Sequence, residues 1–92
     1  MDIQHLLPSY DQLLKREEWL HRRKEILDRD RQQCRVCGSS KSLQVHHRQY
    51  HISNQTNDFI LPWEYNQKYL ITLCKSCHEK GHKLYQVPCF TI

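Results

Sequence analysis

Five cysteines and seven histidines in 92 residues are the side chains best suited to chemistry in this sequence. Four cysteines form two Cys-x-x-Cys pairs, Cys34/Cys37 and Cys74/Cys77, with residues 38–73 between them. An i, i+3 spacing lets one tight turn offer two sulfurs to one ion. Two such hooks match the four-thiolate tetrahedron of zinc, with bonds of about 2.3 Å. A single pair could be a redox couple, but two in so short a chain predict a structural zinc. Cys89 is left without a partner and reads as a buried or incidental tail thiol.

Four histidines surround the hooks. His46 and His47 are adjacent, His78 follows Cys77 directly, and His82 comes four residues later. On a helix, i and i+4 share a face, so His78 and His82 can reach one ion. Neighbours on a strand point to opposite sides, so His46 and His47 should do different jobs. One could bind metal while the other faces a substrate.

These residues need elements to position them. Ser9 with Gln12 resembles a capping box, and a helix is expected over 10–31, free of Pro and Gly. Its apolar stripe reads Leu13, Leu20 and Leu27, with Leu14, Trp19 and Ile26 beside it. Lys15, Arg16, Arg22, Arg23, Lys24 and Arg29 fall largely off that stripe and read as a solvated face laced with acids, the alternative being a phosphate-contacting flank. Gly38, straight after the second sulfur, suits a tight turn. Two short strands are expected near 43–47 and 69–73, with a long polar loop over 48–68. A helix should follow over 75–84, with Gly81 as its weak point, and Pro88 should leave a tail. The fold class is therefore α+β, organised as an N-terminal helical extension (1–33), a zinc-stapled domain (34–84) and a tail (85–92).

Composition bounds the rest. A chain of this size buries only about 60–65% of the surface its unfolded form exposes, so a core alone is marginal and a metal staple is a natural supplement. The longest aliphatic or aromatic run is Phe59-Ile60-Leu61, so no membrane helix is expected, and no secretory signal is visible at the N-terminus. A reducing cytosol is the expected setting, where paired cysteines read as metal ligands. The net charge of +4 permits a nucleic-acid partner without demanding one.

The order Cys-x-x-Cys-Gly, a strand ending His46-His47, a loop, then Leu70-Ile71-Thr72-Leu73-Cys74-x-x-Cys77-His78-x-x-x-His82 resembles the HNH endonuclease family. These are the ββα-metal, or His-Me finger, nucleases. The stretch from Glu18-Trp19 to Cys34 is similar to the lead-in of bacterial and phage members. The resemblance covers roughly residues 15–84 and implies a zinc-stapled ββα-metal finger that cuts DNA in a bacterial or phage-infected cytoplasm. It implies His46 and His78 as ligands of a catalytic divalent metal, His82 as a third, and His47 as the general base that activates water. The cysteines match the separate structural zinc of the two-hook subset. One departure stands out: the family's middle Asn precedes the Leu-x-x-Leu-Cys strand, and Tyr69 occupies that place here, with Asn66 three residues earlier. Three alternatives follow: Asn66 takes over its orienting role, a group within Trp63-Glu64-Tyr65 does so, or catalysis is impaired.

The chemistry agrees with those roles. Histidine titrates near neutrality, as a base for water must, and one cation can stabilise the charge on a scissile phosphate. Imidazole donors favour Zn, Ni or Mn over Mg. Arg48, Lys80 and Lys83 are candidate phosphate contacts, with plain surface cations the competing reading. One active site cuts one strand, so double-strand cleavage would need a homodimer or a larger complex. Two other functions compete: a non-catalytic zinc-stabilised nucleic-acid-binding module, and a RING-like protein-interaction domain with two interleaved zinc sites.

Overall fold

The computed structural model describes residues 10–84 and 86–92. The expected cap at Ser9 lies outside them, as does Tyr85. The elements are α1 (Tyr10–Leu13), α2 (Glu17–Arg29), β1 (Leu43–His47), β2 (Tyr50–Ile52), β3 (Leu70–Cys74), α3 (Lys75–Leu84) and β4 (Cys89–Thr91), with 3-10 turns at Pro62–Glu64 and Gln67–Tyr69. The chain is a small α+β protein. Among the described residues no helix is long and apolar enough to cross a membrane.

The single helix expected over 10–31 is broken in two. Arg16 takes an extended conformation and becomes the N-cap of α2, without a side-chain capping bond. Glu17 and Glu18 in the first turn supply negative charge where the helix dipole favours it. The break takes Leu13 out of the helix that carries Leu20 and Leu27, and within α2 the buried face falls beside Leu20 rather than on it. Trp19, Ile26 and Leu27 are buried, whereas Leu20 is 52% exposed.

The ribbon is β1 paired antiparallel with β3, placing His46 opposite Ile71 and His47 opposite Leu70. Opposed residues share a face, so Val45, His47, Leu70 and Thr72 look one way while Gln44, His46, Ile71 and Leu73 look the other. The first face meets α2, where Trp19, Ile26, Tyr65 and Leu70 form the main core. The helix read as an extension to a zinc domain thus supplies two of the four buried residues in that core. The second cluster, Cys34, Leu73 and Cys74, lies at the sulfur site.

Three arginines assigned to a solvated face do other work. Arg22 Nη2 donates to Tyr65 O (2.9 Å), Arg23 Nη2 to Leu43 O (3.2 Å), and Arg29 to both Gln67 O and Leu70 O (2.7 Å each). A guanidinium carries five donors in a rigid fork, so one side chain can hold several backbone carbonyls. Arg29 also grips Asp30, with Nε and Nη2 each 2.9 Å from a carboxylate oxygen. Asp30 is 4% exposed and accepts from Thr72 N (3.0 Å). Burial opposes its ionisation, but the Arg29 fork and the Thr72 amide outweigh it and hold the carboxyl below its usual range. Together with Arg35 N donating to Thr72 O (3.0 Å), these bonds cover the outer edge of β3, which would otherwise be open to strand pairing.

The loop expected over 48–68 contains β2, the first 3-10 turn and the start of the second, which runs on to Tyr69, and the tail expected over 85–92 contains β4. Strands β2 and β4 pair in parallel, Tyr50 opposite Cys89 and Ile52 opposite Thr91. Each has three residues, too short for alternation to show in the sequence. Helix α3 spans the residues expected of it.

Candidate metal centres and the histidine pair

The turn after α2 builds the first hook. Gly38 N donates to Cys34 O (2.9 Å) and Cys34 N to Ser39 O (2.8 Å), and Gly38 takes a φ of 80°. That left-handed conformation is what glycine permits at no steric cost. The second hook starts on the last residue of β3 and ends in the first turn of α3. The ligand atoms of Cys34, Cys37, Cys74 and Cys77 all lie within 4.8 Å of one another. Cys37 Sγ and Cys74 Sγ are 3.6 Å apart. Four sulfurs at about 2.3 Å around a tetrahedral ion would be about 3.8 Å apart, so this cluster could hold a metal such as zinc. Amide donors aim at the sulfurs, Val36 N at Cys34 and Cys77 N at Cys74, each 3.4 Å. Burial raises the Cys34 thiol, but hydrogen bonds from the Cys37, Cys74 and Val36 neighbourhoods prevail and bring it down to about 6. Cys77 is pushed up to about 12, chiefly by its bond with Cys74 and by burial. Cys89 sits apart, exposed on β4.

The second cluster is made of histidines. His46 comes from the far face of β1, His78 and His82 from successive turns of α3, and their ligand nitrogens also lie within 4.8 Å of one another. The rings of His46 and His78 meet edge-on with centroids 4.8 Å apart. His82 Nε2 is 2.9 Å from His78 Nε2. Burial, with the charges of His78 and His82 next in order, pushes His46 down to about 4. His78 is lowered by the same burial and by His82. Neutral imidazoles are the form a metal requires.

Gln44 was not singled out from the sequence. Its Oε1 accepts from His78 Nδ1, which puts the His78 lone pair on Nε2, toward the other two histidines. Metal-bound histidines commonly carry such an outer partner. The signal was present: Gln44 is two residues before His46, and a strand puts i and i+2 on one face.

His47 points the opposite way from His46, into the main core. It is 4% exposed. Its ring stacks on Trp19 (5.1 Å) and Tyr50 (5.6 Å) and meets Tyr65 edge-on (4.8 Å). Its Nε2 lies 3.0 Å from Pro62 O. A carbonyl can only accept, so Nε2 carries the hydrogen and Nδ1 is the basic nitrogen of the neutral ring. Burial lowers its pKa, partly offset by the Pro62 bond. The stretch 62–65 holds this ring, through the Pro62 carbonyl and the Tyr65 ring. The Tyr65 hydroxyl in turn accepts from His51 N (2.9 Å). Asn66 instead caps the next 3-10 turn, accepting from Lys68 N. Tyr69 packs against the core and meets His51 edge-on at 4.9 Å. Arg48, Lys80 and Lys83 are exposed, Arg48 after β1 and the lysines on α3.

Searches against protein-family models, characterised proteins and solved structures find no match for this chain. The two clusters and the fold that positions them therefore carry the functional argument.

Proposed function

We propose that the chain is a metal-dependent endonuclease of the HNH type that hydrolyses phosphodiester bonds in DNA. The observation that carries this reading is the convergence of His46, His78 and His82 from strand and helix, separate from the four cysteines and one residue from a second, oriented histidine. Four thiolates close a structural site, whereas three imidazoles leave a coordination position for substrate. Cys34, Cys37, Cys74 and Cys77 would hold a structural zinc. His46, His78 and His82 would hold one catalytic divalent ion, with Zn, Ni or Mn favoured over Mg. When bound, that ion supplies Lewis-acid stabilisation of charge developing on the phosphate. Gln44 fixes the tautomer of His78. His47, held through Nε2–H, takes a proton from water at Nδ1. Arg48, Lys80 and Lys83 contact the DNA backbone. Two copies, or a larger complex, would be required for double-strand cleavage.

The test is conversion of supercoiled plasmid with Mg, Mn, Ni or Zn added singly. The parent should nick with at least one ion. His78→Ala should lose that activity yet keep one zinc per chain. Equal cleavage by the variant would remove the histidine cluster from the mechanism.

A second reading, a non-catalytic zinc-stabilised module that binds nucleic acid, is favoured by one observation: at 4% exposure, His47 is a core residue as much as a base. A parent inert with every ion but able to bind DNA would establish it. The RING-like alternative draws no support from the geometry, because all four cysteines gather in one cluster rather than in interleaved pairs.

A further inference from the structure

Two surface clefts run side by side along the outer edge of β3. One is lined by Arg29, Asp30, Arg35, Arg48, Lys68, Leu70 and Ile71, and the other by Arg29, Asp30 and Arg35 again, with Arg31, Gln33, Cys34 and Gly38. Sharing a wall, they make one groove. Five of its side chains are cationic and one is acidic, although the chain as a whole has 14 cations and 10 acids. The lone acid, Asp30, is already gripped by the Arg29 fork and the Thr72 amide. The positive charge of the other residues therefore meets no further carboxylate within the groove. Arg31, Arg48 and Lys68 have no ion-pair partner among the described residues, and Arg35 Nη1 approaches Asp30 only to 3.9 Å. Lys68 lies over the Tyr69 ring at 5.0 Å, a contact that positions the ammonium without neutralising it.

The groove lies one strand away from His46. Ile71, in its wall, is paired with His46 and shares its face of the ribbon. Arg48, at its end, follows His47 in the chain. Resting on the nuclease reading above, we propose that this groove is a track for the DNA backbone, with Arg31, Arg35 and Lys68 binding phosphates that flank the one presented to the histidine cluster. The groove offers charge and breadth but few neutral hydrogen-bonding side chains. It therefore binds by charge, without base readout, and the binding is salt-dependent.

The test measures anisotropy of a short fluorescein-labelled duplex DNA with the as-purified protein, no divalent ion added, over a range of salt. The triple variant Arg31→Gln/Arg35→Gln/Lys68→Gln is compared with Lys24→Gln/Lys41→Gln/Lys75→Gln, which removes the same charge outside the groove. Each lost phosphate contact reduces the slope of log K against log salt by about 0.9 on duplex DNA, so the groove variant should lose about 2–3 from the parent slope. The outer variant should change by less than 1 on the same scale. All six side chains are exposed, and unchanged melting temperature and zinc content check that folding is intact. Equal slopes in the two variants would overturn the groove while leaving DNA binding intact elsewhere. A parent that binds no duplex would overturn the nuclease reading, and the groove with it.

Discussion

The two clusters share the β1–β3 ribbon and α3, to which the cysteines add the turn after α2, and they differ in what surrounds them. The cysteines lie where the knuckle after α2 meets the junction of β3 and α3. Cys34 and Cys74 are buried, amides point at sulfur, and four sulfurs gather within 4.8 Å of one another. The histidines lie further along α3, with His46 and His78 half-buried, His82 exposed and three donors in all. An ion held by the cysteines would be enclosed, whereas one held by the histidines would keep a face toward solvent. The comparison teaches that a single strand-to-helix junction can place a four-sulfur cluster beside a three-imidazole one, with donor count and burial diverging over one helical turn.

The sharpest break of that contrast is at the staple. Cys74→Ser should lose bound zinc and destabilise the fold by on the order of several kcal/mol, because binding energy at a structural zinc is folding energy. Zinc content and thermal melting report it directly, and unchanged values would mean the cysteines hold nothing together. The same measurements on the histidine cluster should give the opposite result: His78→Ala should leave melting nearly unmoved.

The next largest effect concerns His47. Its replacement by Ala should reduce cleavage by about 10²–10⁴-fold. The ring also fills space between Trp19, Tyr50 and Tyr65, so the variant should lose roughly 2–3 kcal/mol of stability as well. Rates are to be compared well below the variant's melting midpoint. Destabilisation with an unaltered rate would make His47 a core residue only. Burial lowers its pKa, so the acid limb of the rate profile should lie below the ordinary imidazole value of about 6.5.

Protonation offers a subtler separation. His46, His47 and His78 all have depressed pKa values, His46 at about 4. The unfolded chain therefore takes up these protons first as pH falls. Their contribution is complete above about 6.5 and is lost on descending toward the folded values, with a slope of at most about 1.4 kcal/mol per pH unit for each proton. The urea midpoint should fall between about pH 7 and pH 5.5, and His46→Gln should flatten part of that fall. If it does not, the acid sensitivity belongs to the zinc thiolates. The smallest effect is Gly38→Ala. A Cβ there would meet nothing within 4 Å, so only the φ of 80° is penalised, by about 1 kcal/mol.

Legibility followed the range of the interaction. The Cys-x-x-Cys spacing, the i, i+4 histidines and the strand alternation that sends His46 and His47 to opposite faces are local, and local spacing survives in any fold that keeps the element. The break at Arg16 was not legible, since nothing in Leu14-Lys15-Arg16 forbids a helix. What decides it is the core, which accepts Trp19 and Ile26 and leaves Leu20 outside.

The sequence by itself therefore determined two sets of metal-type donors, their division by residue type, and the strand and helix that carry them. Tertiary structure alone decided three further matters: that the basic face of α2 becomes a clamp on backbone carbonyls, that Asp30 seals the edge of β3, and that His47 ends against Trp19 and Pro62. The reason is physical. A periodic pattern states which residues share a face, but the identity of the opposing surface comes from chain segments tens of residues away. An arginine reads the same in sequence whether it meets water, a phosphate or a carbonyl.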